Sequence, residues 1–123
     1  MTVREDLLHA VSDFESLMAH SAELNAEVPD HRMEAIQVRR RISEKLSAIA
    51  STGHIYFAAA AEGATFNSQF SKVRSAMAYH QASWPVVSVD YDDAEYRASE
   101  AQVRKLCQDF IAWVKKNALD DLQ

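Results

Sequence analysis

Glycine and proline occur only twice each in the 123 residues of this chain. Folds with many tight turns need both types, because glycine supplies positive φ and proline presets the turn backbone. Long helices avoid both. The scarcity therefore predicts an all-α chain with few connections. Hydrophobic residues make up 48% and charged residues 25%, so the chain has enough apolar material for a core and is not a disordered polyampholyte. Its length suits a single helical domain over 1–123, with no separate catalytic domain.

Helical periodicity bears this out segment by segment. Leu7, Val11, Phe14, Met18 and Ser21 recur at alternating steps of four and three, with Leu17 and Leu24 widening the stripe. They predict an amphipathic helix from about Val3 to Asn25. "EVPDHRME" then breaks and restarts the chain, with Asp30 as N-cap of the next helix. Ala35, Val38, Ile42, Leu46 and Ile49 carry that helix to Gly53, placed here as its C′ glycine. The apolar segment 54–63 reads as a helical turn closing the bundle or as a close-packed connector.

Thr65 or Asn67 starts the third helix, whose stripe is Phe66, Phe70, Val73, Met77, His80 and Trp84. Pro85 pushes Trp84 out of helical dihedrals. "VVSVDY" follows as an extended strap, and Asp92 with Glu95 makes a capping box for the fourth helix. That helix presents Tyr96, Val103, Leu106, Cys107, Phe110, Trp113 and Val114, with Phe110 and Trp113 buried. Four such helices bury their stripes most simply as an antiparallel, up-down-up-down four-helix bundle with a short irregular strap between helices 3 and 4.

This topology brings the end of helix 3 beside the start of helix 2. His31 and His80 then face each other under a strap carrying Asp90, Asp92 and Asp93. Two readings follow for His80. In the structural one, a charged imidazole with a raised pKa fastens the strap through a carboxylate, favoured by its place at a helix C-terminus. In the alternative, His31, His80 and Asp90 line a small-ligand or metal site. No Glu-x-x-His pair or same-face histidine pair supports a metal, so no metal and no cofactor is expected.

Other chemistries find less material. Histidine phosphotransfer needs an exposed mid-helix histidine with a cation nearby, but His9 and His20 sit among carboxylates. Cys107 occupies the edge of an apolar stripe, as a small buried hydrophobe does. No Gly-flanked serine elbow and no phosphate-cradling glycine loop occurs. The net charge of −5 argues against nucleic acid, and Arg39, Arg40 and Arg41 fan around a helix as a solvated face. No apolar run is long enough to span a bilayer, and the charged start "MTVREDLLHA" is no signal peptide. A lone cysteine suits a reducing compartment, so a cytoplasmic location is expected.

Met33, Ile36 and Tyr79 lie off the core stripes. They form a candidate interaction patch for a protein partner or a homodimer. The expected function is thus non-catalytic: a regulator, adaptor or homodimer working through protein contacts.

Overall fold

The computed structural model describes residues 2–27, 32–58, 61–86, 89–90 and 92–120. Four helices follow one another: α1 (Val3–Glu27), α2 (Arg32–Tyr56), α3 (Glu62–Ser83) and α4 (Ala94–Asp120). Cross-helix bonds fix their directions. Lys45 of α2 reaches Asp13 of α1 at 3.1 Å, and His20 near the end of α1 meets Glu34 near the start of α2 at 3.0 Å. Lys115 of α4 reaches Glu15 of α1 at 2.8 Å, and His80 of α3 meets Ser99 of α4. Neighbouring helices are therefore antiparallel, giving the up-down-up-down bundle.

The stripes expected from periodicity form the core. Leu7, Val11 and Phe14 from α1 meet Ala35, Val38, Ile42, Leu46 and Ile49 from α2, Phe66, Phe70, Val73 and Met77 from α3, and Val103, Cys107, Phe110 and Val114 from α4. Ala10 and Ile111 also join it. Trp113 is half-buried rather than buried, packing its ring against the core. Leu106 is exposed, at the margin of α4's stripe.

One end of the bundle is aromatic. Helix α2 runs through Gly53 to Tyr56, so Gly53 is an interior residue and not a C′ stop. The reason for glycine there is steric: a Cβ would lie 2.1 Å from the Phe66 ring. At Gly63 a Cβ would lie 2.6 Å from the Phe57 carbonyl oxygen. Gly53 makes room for a ring and Gly63 for a backbone carbonyl. Phe57 fills the space between helices, 5.2 Å from Phe66 and 5.3 Å from Trp113 between ring centres. The connector thus closes this end through one side chain, and α3 starts at Glu62, earlier than Thr65. The Ala118 carbonyl accepts bonds from Arg4 Nε at 2.8 Å and the Tyr56 hydroxyl at 3.4 Å, tying α1, α2 and α4.

The other end carries the strap. Trp84 leaves the helical region (φ −130°, ψ 77°) just before Pro85, while its N–H still bonds the His80 carbonyl. Val87, Ser88 and Tyr91 of the strap lie outside the described residues; the Val89 N–H bonds the Pro85 carbonyl at 3.0 Å, closer than an extended chain allows. Val86 and Val89 are buried. The guanidinium of Arg32 donates to both of their carbonyls, at 3.2 Å to Val89. Arg32, not His80, therefore fastens the strap. The N-cap of α4 is Asp93, not Asp92: its Oδ1 accepts from the Glu95 and Tyr96 amides at 2.7 and 3.2 Å. Asp92 instead pairs with Arg97 at 2.9 Å.

Candidate functional site

His80 is the one polar residue in the core among the described residues, 7% exposed. Its place is set by the α3 stripe, one turn before the helix ends at Trp84. The Nδ1 atom shares a 2.8 Å hydrogen bond with the Ser99 hydroxyl of α4. Trp84 and Tyr96 flank the ring, with centroids at 5.4 and 5.3 Å. The partner of His80 is thus a neutral hydroxyl on a facing helix.

The charge state expected from sequence reverses accordingly. Burial, reinforced by the Arg39 guanidinium, lowers the His80 pKa from 6.5 to about 4. The macrodipole of α3 favours the imidazolium, but desolvation outweighs it here. His80 is neutral near pH 7, so the charged, strap-fastening histidine is corrected on both counts.

Beside the ring lies a cavity of about 40 Å³, partly open to solvent and reached by all four helices. Its polar lining comes from Ser21 of α1, Arg39 of α2, His80 and Gln81 of α3, and Tyr96 and Glu100 of α4. Glu100 is bonded to Arg104, one turn along α4. Arg39 is half-buried, so it departs from the solvated arginine face read from the sequence. No buried side-chain nitrogen or oxygen lacks a partner among the described residues.

His31 lies outside the described residues. Asp90 is exposed and spends its carboxylate on the Asp92 amide at 3.0 Å. Among the described residues no three His, Cys, Asp or Glu side chains gather in a group able to hold a metal. His9 and His54 are exposed, and His20 is held between Glu23 and Glu34. Burial pushes the Cys107 thiol up to about 12, which removes it as a nucleophile near neutrality.

Periodicity contained a signal for the residues it missed. Arg39 stands four after Ala35 and three before Ile42, and Glu100 four after Tyr96 and three before Val103. Each is a charged residue at a core position of its stripe. Met33 and Tyr79 are 73% exposed and Ile36 is also exposed, yet they do not share one groove. Tyr79 lines a groove of about 380 Å³ between α3 and α4 with Ala76, Trp84, Ala98, Val103 and Leu106. Met33 and Ile36, on α2, take no part in it.

No helix among the described residues is long and apolar enough to cross a membrane. Comparison with protein-family models, curated proteins and solved structures gives no match.

Proposed function

We propose that this chain is a non-catalytic, cytoplasmic helical-bundle protein that binds another protein through the α3–α4 groove. The observation that carries the reading is the pairing of Tyr79, 73% exposed, with Leu106, 37% exposed, around one groove that Trp84 also lines. A single exposed apolar side chain is ordinary. Two large ones on one concave surface, with the half-buried Trp84 beside them, are a recognition feature.

The occupant this groove suits is an amphipathic helix with a basic flank. Ala76, Ala98 and Ser99 are small and leave room for a helix to approach, with Tyr79, Trp84 and Leu106 as anchors. Among the described residues Glu95 is the only charged one lining the groove, and the chain carries 18 acidic against 13 basic residues. A second copy brings the same excess of negative charge, whereas a basic helix is attracted on approach. The same balance argues against a nucleic-acid partner.

Trp84 makes the reading measurable. In a Trp113→Phe background its fluorescence reports the groove alone. A synthetic leucine- and lysine-faced helical peptide should change that emission saturably, and a glutamate-substituted counterpart should not. Tyr79→Glu with Leu106→Glu should weaken binding at least about tenfold, while Met33→Glu with Ile36→Glu leaves it unchanged. A peptide response indifferent to the groove substitutions would remove the reading. A dimer in sedimentation that those substitutions dissolve would make a second copy the occupant.

A further inference from the structure

The cavity beside His80 brings together donors of a soft kind. Two thioethers line it, Met18 from α1 and Met77 from α3, along with the His80 imidazole. The ring holds the Ser99 hydroxyl through Nδ1, and among the described residues it makes no second side-chain hydrogen bond. No buried side-chain nitrogen there lacks a partner, so Nε2 reaches open space, and the cavity is the space the ring lines.

When Nδ1–H donates to Ser99, the Nε2 lone pair is left for the cavity. Metal-binding histidines are held in this way, with one nitrogen fixed by a hydrogen bond and the other presented to the ion. The ligand imidazole must also be neutral. Burial and the Arg39 charge lower the His80 pKa to about 4, so protons do not compete for Nε2 near pH 7.

The donor set selects the metal. Zinc sites use thiolate, imidazole and carboxylate, and calcium and magnesium use oxygen. Among the described residues the one carboxylate on the lining, Glu100, is already bonded to Arg104. What remains is sulfur and nitrogen, and thioethers with an imidazole suit Cu(I). Charge points the same way. Neutral donors leave the charge of the ion uncompensated, and Arg39 lines the same cavity. Both cost a divalent ion more than a monovalent one.

Size permits it. A single water needs roughly 10–15 Å³ by the same measure, so the cavity of about 40 Å³ admits one dehydrated ion. Methionine side chains are unbranched and adaptable, which lets their sulfur atoms close onto it.

We propose that this cavity binds one Cu(I) ion through His80 Nε2 and the sulfur atoms of Met18 and Met77. None of these three residues lines the α3–α4 groove, so the site and its test are independent of a protein partner. Cys107 is the rival soft ligand. It lies on a separate cavity between α1 and α4, which Met18 also lines, and burial keeps its thiol protonated, with a pKa pushed up to about 12.

The probe is Ag(I), which shares the ligand preferences of Cu(I) without its redox chemistry, added to the full chain at pH 7 in chloride-free buffer. NMR should show saturable shifts of the Met18 and Met77 methyl groups and of the His80 ring, complete at one ion per chain. Anaerobic Cu(I) should displace Ag(I) from the same site, and Zn(II) should not. Met77→Leu conserves volume and should weaken Ag(I) binding at least about tenfold, with His80→Gln weakening it at least as much. Met77→Leu carries the test if His80→Gln does not fold. Wild-type affinity in either folded variant overturns the site, as do shifts confined to Cys107 or to exposed residues such as Met33. Binding that is lost in Cys107→Ala but kept in His80→Gln also overturns it. A cavity that Zn(II) fills as well as Ag(I) overturns the assignment to Cu(I).

Discussion

At the aromatic end Phe57, Phe66, Phe70, Phe110 and Trp113 meet ring against ring, with centroids 5.2 to 6.4 Å apart. At the strap end His80, Trp84 and Tyr96 also meet as rings, at 5.3 to 5.9 Å, but Arg39 and Glu100 reach the same interior. The first end is held mainly by ring packing, with the Ala118 carbonyl tied to Arg4 and Tyr56 beside it. Both glycines of the chain sit there, one under a ring and one under a carbonyl. The second end keeps a cavity and resolves its polarity through specific bonds. Apolar closure makes an end rigid and inert, whereas polar closure leaves room for titration and ligands.

The largest expected effect belongs to the aromatic end. Phe66 touches Phe57, Phe70, Phe110 and Trp113 and is 2% exposed. Phe66→Ala should cost about 3–5 kcal/mol in urea denaturation, by lost burial and the cavity left behind. A loss below about 1 kcal/mol would mean that this end is not sealed by packing. The contrast between the two ends would then lose its basis.

That end was legible in the sequence because aromatic side chains at steps of three and four have one economical use. Phe66, Phe70 and Phe110 went to the core on spacing alone. Phe57 did not, since it lies past the end of α2 where periodicity gives no direction. Gly53 stands where a glycine near a helix end usually marks a stop, but the ring that requires it comes from another helix. At the strap end the α3 stripe places His80 in the core but not its partners. The Ser99 bond and the Arg39 charge depend on which residues of different helices share a level. Stripe arithmetic places residues around a helix and says less about their partners across the core.

The second effect tests how the polar end treats charge. Unfolded, His80 titrates near 6.5; folded, near 4. Between those values the unfolded chain binds more protons, so the stability gained from a neutral His80 is complete above pH 6.5 and is lost as pH falls toward 4. At about 1.36 kcal/mol per unit the loss is at most about 3 kcal/mol. His80→Gln has no proton to take up there, and its amide remains able to bond Ser99. The stability difference between wild type and His80→Gln should therefore shrink from pH 7 to pH 4. A difference that grows on acidification would restore the charged, carboxylate-paired histidine and abolish the contrast in its present form.

The smallest effect is confined to the strap. Arg32 donates to the carbonyls of Val86 and Val89, and the Val89 N–H bonds the Pro85 carbonyl. Carbonyls deprived of a charged donor turn to water at modest cost when the site is partly exposed, so Arg32→Ala should lower global stability by only about 1 kcal/mol. Locally the consequence is larger, because Arg32 bridges two carbonyls of this short segment. Hydrogen exchange at the Val89 amide should accelerate at least about tenfold, while exchange at the Phe70 amide, in the helical core, follows the small global change. Equal acceleration at both amides would show that the strap unfolds only with the bundle. In that case the polar end is as rigid as the aromatic one, and the distinction between them concerns chemistry and not local stability.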